Sequence, residues 1–349
     1  MAVFFCVFFL HCLCRARIFL GKEGNQDYLS LQHTQIVKGI FIILVFFSHF
    51  NSYVTYTARW DVICRDLVSL FGQTMVTMFL FYSGYGVMES VRKKGRDYVD
   101  AMPGKRILST LFRFDCAVLM FAVLALWKGD IIGPLQFVLS LIGWDSLGNS
   151  NWYIFIILVL YLMTYSTCKL SSNQKTAVTL VFLLVCAGIF CLAFWNIKPV
   201  YWYDTALCYV MGMAYSLYRK PIEEKLKNSW LTYGVVMLFL ALACEFLRSY
   251  SYIAVASILR NCIFAALILI LTMRISLRSR ILSWCGTHLF PLYILQRIPM
   301  ILLKELGLAN ASISVYFLCC VGGTLLLTIP FEWVTNWIWT KLQRKTLSV

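Results

Sequence analysis

Apolar stretches of about twenty residues recur along nearly the whole chain, and this repetition restricts the fold more than any other feature of the sequence. A hydrocarbon core about 30 Å thick takes roughly 20 helical residues to cross, and backbone polar groups inside it must find partners within the protein. Ten such stretches are expected, near 34–56, 66–90, 107–127, 151–170, 177–197, 202–218, 230–247, 254–273, 282–303 and 313–340. With 60% hydrophobic residues and a mean hydropathy of +0.76, the expectation is an all-α polytopic transmembrane bundle of about ten spans. Residues 1–33 precede it as an apolar segment and linker, and 341–349 follow as a short basic tail.

A formal net charge of +15 would suit a nucleic-acid binder, but the positions of the charges argue for a membrane instead. If the first span starts in the cytoplasm and the rest alternate, 21 of the 31 Lys and Arg fall on the cytoplasmic side and six fall outside. The remaining four, Lys38, Arg113, Arg260 and Arg297, are embedded. This is the positive-inside bias. It places the chain in a cell membrane, surrounded by lipid, with Lys22, Lys345 and the tail in the cytoplasm. Residues 2–14 (AVFFCVFFLHCLC) are apolar but short for a span and carry no preceding basic region, so a cleaved signal is a poor fit. An interfacial or re-entrant segment is expected, with an eleventh span as the alternative. The 14 cysteines are scattered without a CxxC pair, which fits small buried hydrophobes better than disulfides or a metal site.

Within the first span, Lys38 and His49 are eleven residues apart. On a 3.6-residue helix they lie about 20° apart in azimuth and roughly 16 Å apart along the axis, on one face. The stripe continues through Ile42 and Val45 to Ser52, Tyr53 and Tyr56. Ionisable side chains at that depth usually face a cavity or a partner helix. A structural histidine bonded to a neighbouring hydroxyl is one reading; a general base sheltered from bulk water is the other. Other embedded charges lie on both sides of His49, as a chamber open at two ends would require: Glu89, Arg113 and Asp115 toward the cytoplasm, and Glu245, Arg260 and Arg297 toward the outside.

Two connections stand out. Ser90 to Lys105 (SVRKKGRDYVDAMPGK) reads as a cytoplasmic loop that either anchors topology or docks phosphates through clustered Lys and Arg. Lys128 to Asn151 contains a Gly133-Pro134 break and turn residues from Gly143 onward, so it reads as an external cap over an outward cavity. Trp144, Trp152, Tyr153, Trp202 and Tyr203 gather near the outer surface, either as an interfacial belt or as faces for sugar stacking.

Taken in order, KGIFIILVFFSH (Lys38 to His49), MFLFYSGYGVMES with Ser83-Gly84-Tyr85, the basic loop, SNWYIFIILVLYL and GTHLFPLYILQRIPMIL resemble the membrane-bound acyltransferase-3 family. The resemblance covers nearly the whole chain from about residue 34. It implies a ten-helix bundle that takes an acyl group, often acetyl, from acyl-CoA on the cytoplasmic side. The implied acceptor is a carbohydrate hydroxyl on a surface glycan or its lipid-linked precursor. It also implies that His49 is the general base and that Lys38 binds the donor or stabilises developing negative charge. In this picture Arg92, Lys93, Arg96, Lys105, Arg106 and Arg113 hold the donor phosphates, acyl-CoA being a substrate and not a resident cofactor. Candidate substrate-binding residues are Ser83, Tyr85, Asn151, Trp152, Tyr293 and Gln296 from the shared motifs, with the embedded Arg260. Three departures matter. Lys38 replaces the commoner Arg, Gln296 stands where many members have His, and no esterase-like domain follows the bundle. The competing function is a transporter or flippase for a glycan or lipid, although the internal repeats and paired broken helices common in transporters do not stand out. A scaffold subunit without chemistry would leave Lys38 and His49 with packing alone.

Overall fold

The computed structural model describes residues 1–21 and 23–347. The expected placements of Lys22 and of the last two tail residues fall outside the described residues, as does that of the Lys345 side chain. The chain begins with α1 (Ala2–Cys14), β1 (Ala16–Ile18), α2 (Leu31–Asn51), α3 (Arg59–Phe71), α4 (Thr74–Lys94) and α5 (Arg96–Met102). A wide helical turn, Pro103–Leu108, leads into α6 (Ser109–Lys128), α7 (Pro134–Leu141), α8 (Trp152–Leu170) and α9 (Gln174–Phe194). Then come α10 (Ala206–Lys227), α11 (Trp230–Arg248), α12 (Ala254–Thr272), β2 (Ile275–Leu277), α13 (Arg280–Thr287), α14 (Leu289–Leu295), α15 (Arg297–Glu305), α16 (Leu308–Ala311) and α17 (Ile313–Leu347).

Among the described residues, eight helical segments are long and apolar enough to cross a membrane. The two remaining expected spans take other forms. Helix α10 is long enough but ends in a charged run from Arg219 to Lys227. The stretch 282–303 is not one helix, because it breaks at His288 and again at Gln296 into α13, α14 and α15. The first span also ends sooner than expected, at Asn51, where the Ser52 and Tyr53 amides turn back onto the His49 and Phe50 carbonyls. The basic segment after Ser90 is mostly helical rather than a loop. Helix α4 runs to Lys94, Gly95 reverses the chain with φ of 58°, and α5 follows.

Two parallel helix pairs pack with almost no space between their backbones. A Cβ added at Gly84 of α4 would lie 2.0 Å from the Tyr209 carbonyl oxygen of α10, and one added at Gly212 would lie 2.1 Å from that of Phe81. Gly39 of α2 and Gly286 of α13 form the same reciprocal contact, at 1.9 Å from Leu282 O and 1.8 Å from Gln35 O. Helices in lipid gain little from hydrophobic burial against each other, so small residues that allow close backbone approach decide which ones pair. The glycine of the Ser-Gly-Tyr motif therefore holds α4 against α10.

Most clustered Lys and Arg gather at one end of the bundle, where α2 begins; we call it the basic end. Helix α1 does not lie across that end, as an interfacial segment would. Its amino terminus pairs with Asp61 at 3.1 Å, beyond the far end of α2. Phe5 meets Phe47 edge-on and Phe8 meets it at a tilt, and His11 meets Ser279 Oγ at 2.8 Å at the basic end. The helix thus runs antiparallel to α2 along the bundle wall, though its 13 residues span only about 20 Å. Strand β1 then pairs with β2, Ala16 opposite Leu277 and Ile18 opposite Ile275.

Candidate active site

Two cavities face opposite ends of the bundle, and His49 lines neither of them, its ring lying beside that of Tyr293. The inner cavity, about 530 Å³, opens at the basic end beside Leu31 and Arg106. Of the residues expected at the site, Lys38, Ser83, Tyr85, Arg106, Arg113 and Tyr293 all line it. It is framed by α2, α4, the Pro103–Leu108 turn, α6, α8 and α14, and Ile154, Ile157 and Tyr161 supply one helical stripe of α8. Three cations and no carboxylate face this space. Lys38 forms no ion pair among the described residues, and it shares the cavity with the like-charged Arg106. Arg106 Nε donates to Tyr98 Oη at 3.2 Å, and Arg113 Nη2 donates to Asn336 Oδ1 at 2.7 Å. Both cations are oriented by neutral groups, so their charge is not cancelled. Ser83 and Tyr161 share a hydroxyl hydrogen bond of 2.6 Å.

The cavity ends at Tyr293, whose ring lies 6.2 Å from that of His49 and 5.2 Å from that of Tyr153. His49 Nδ1 is buried without a hydrogen-bond partner, so the structural reading of a histidine satisfied by a neighbouring hydroxyl does not describe this nitrogen. Ser150 sits beside Tyr293, and Gln296 Nε2 donates to the Tyr293 carbonyl at 3.1 Å. Gln296 Oε1 is likewise buried without a hydrogen-bond partner among the described residues. Buried polar atoms are nearly always paired, so these orphans around one tyrosine mark a place where something polar belongs.

The outer cavity, about 450 Å³, begins one turn beyond His49 at Tyr53, whose hydroxyl accepts from Arg297 Nε at 2.8 Å. Lys128, Asp130, Lys304 and Glu305 surround it, with Gln136, Ser146 and Gly148 from the connection after α6. That connection forms the expected cap, as Asn151 Nδ2 donates to the carbonyls of Gly143 and Asp145, both at 2.9 Å. Gln296, at the break between α14 and α15, separates Tyr293 on the inner side from Arg297 on the outer side.

Several expected site residues are employed elsewhere. Arg92 pairs with Glu89 at 2.7 Å and donates to the Ser216 carbonyl at 2.6 Å, joining α4 to α10. Lys93, Arg96 and Lys105 are exposed and do not line the cavity. Asn151 is spent on the cap, and Gln296 is fully buried. Arg260 donates to the Leu70 carbonyl at the end of α3. Trp152 packs edge-on against Tyr153 and Tyr201. The aromatic group is not an open sugar platform either, since Trp144 and Trp202 enclose Lys198 Nζ at 4.3 and 4.2 Å. Burial there holds the Lys198 ammonium below its ordinary pKa, against the opposing pull of Asp145.

Tyr161, Tyr53 and Arg297 were not among the expected site residues. The Tyr53 signal was present in its place on the Lys38–His49 stripe, and that of Arg297 in its embedded charge.

A family model described as an acyltransferase domain matches residues 35–333. Searches of curated proteins and of solved structures return no match. The matched region contains most of α2 through part of α17, His49, the outer cavity and most of the inner one, and on that extent the chain belongs to the acyltransferase-3 family.

Proposed function

We propose that this membrane acyltransferase moves an acyl group, acetyl in the simplest case, from acyl-CoA to a hydroxyl of a cell-surface glycan or its lipid-linked precursor, with His49 as general base. The observation that carries the reading is the inner cavity, which presents Lys38, Arg106 and Arg113 without a carboxylate among its described lining residues and reaches Tyr293, beside His49. A cationic mouth suits the phosphates of CoA, and the apolar walls of Phe79, Ile154 and Ile157 suit its thin pantetheine arm. The outer cavity, where both signs of charge accompany Tyr, Gln and Ser, suits a hydroxyl-rich acceptor. His49 takes the acceptor proton as the hydroxyl oxygen attacks the thioester carbonyl. The C–S bond breaks, and CoA leaves as the thiol once it regains a proton. Lys38, some 16 Å away on the same helix, serves donor binding and not the reacting atoms.

The test is transfer of labelled acetyl from acetyl-CoA to cellular glycans. His49→Ala is expected to lower the rate by on the order of 100- to 10,000-fold while the purified protein keeps its elution profile and melting point. Lys38→Arg is expected to retain more activity than Lys38→Ala, with the loss expressed mainly in donor KM. Normal transfer by folded His49→Ala protein would remove the catalytic assignment and favour transport or scaffolding.

A further inference from the structure

A third cavity, about 1250 Å³, plays no part in this chemistry. It is a groove at the basic end, between the end of α1, the β1–β2 ribbon, the start of α2 and α13. Gln32, His33 and Ile36 face it from one side of α2, while Leu31, Thr34 and Lys38 face the inner cavity from the other. We propose that this groove is a binding site for the phosphate headgroup of an anionic membrane lipid.

Three observations converge. Arg15, Arg278 and Arg280 line the groove, exposed, against Asp27 as the one carboxylate in its lining. His33 is only 6% exposed and lies in the groove wall, yet neither ring nitrogen makes a hydrogen bond among the described residues. The backbone of Tyr28 and Ile275 lies within reach of the ring. An apolar side chain, Ile281, stands open in the lining at 63% exposure.

The guanidinium groups call for a phosphoryl anion, and basic pockets between helices at the cytoplasmic face are a recurrent setting for lipid headgroups. Ile281 selects the source. A free phosphate or nucleotide would leave Ile281 uncovered, whereas the acyl chains of a lipid cover it as the headgroup reaches the adjacent Arg280 and His33 across the groove. The site is independent of the reading of the inner cavity.

The experiment is a thermal melt of the purified, detergent-solubilised protein, titrated separately with short-chain phosphatidylglycerol, short-chain phosphatidylcholine and inorganic phosphate. Phosphatidylglycerol is expected to raise the midpoint saturably. Arg278→Glu combined with Arg280→Glu should bind it about 30-fold more weakly, and the milder Arg280→Gln should show a smaller loss in the same direction. Lys93→Glu with Lys94→Glu, exposed at the same end but outside the groove, should leave the titration unchanged. An equal response to phosphatidylcholine or to inorganic phosphate, or an undiminished response in both groove variants, would overturn the proposal.

Discussion

Lys38 and Arg106 show how the role of a charged side chain depends on which neighbours fail to neutralise it. Arg92 and Arg106 lie in the same basic segment of the sequence, but Arg92 is taken up by Glu89 and Ser216 whereas Arg106 opens into a cavity without carboxylates. A charge-assisted hydrogen bond contributes about 1.5–3 kcal/mol. Arg106→Glu is therefore expected to raise the donor KM roughly ten- to a hundredfold, with added salt producing a weaker version of the same effect. Arg96→Glu, a reversal of equal size on the exterior, should change it little. Steady-state kinetics with varied acetyl-CoA at fixed acceptor checks both, and equal effects of the two reversals would return the segment to a topology anchor. Moving the histidine by one position is a poor control for His49. Phe50 is fully buried among Tyr316 and Phe317, so a polar ring there would damage packing as well as chemistry.

Elements of this bundle are positioned by glycines whose importance depends on what they touch. Gly84 and Gly188 both lie within apolar helices, but a Cβ at Gly84 collides with the α10 backbone whereas one at Gly188 meets nothing within 4 Å. Overpacking typically costs about 1–3 kcal/mol, and in a helix interior Ala is favoured over Gly by up to about 1 kcal/mol. Gly84→Ala should thus lower the melting temperature of the purified protein and Gly188→Ala should leave it level or raise it. If both behave alike, the α4–α10 contact does not set stability. The break of α13, α14 and α15 is equally consequential, because a continuous helix through Gln296 would not divide Tyr293 and Arg297 between two cavities.

Across the whole molecule, the termini of α1 decide a topological question. Met1 pairs with Asp61 at the far end while residues 16–18 join β2 at the basic end. Cysteines introduced singly at Ala2 and Ser146 in a cysteine-depleted background should therefore react with an impermeant label on intact cells, and one at Gln26 should not. Labelling of position 26 without 146 would reverse the inferred sidedness. Labelling of 146 without position 2 would return α1 to the interfacial placement.

The class of fold, the order of the long helices and the shared face of Lys38 and His49 were legible in the sequence, because span length, charge bias and helical periodicity are properties of contiguous residues. Lys38, Ser83, Tyr85, Arg106, Arg113 and Tyr293 could likewise be selected from motifs on several helices. Tertiary structure alone decided which of the basic residues reach the cavity, since that depends on partners such as Ser216, 124 residues distant from Arg92. The same holds for Asn151 and Arg260, whose side chains were free to bind a ligand until the cap and the end of α3 supplied carbonyls for them. Periodicity identifies a helix and its face, but whether a polar group on that face stays available is settled only by what the fold brings against it.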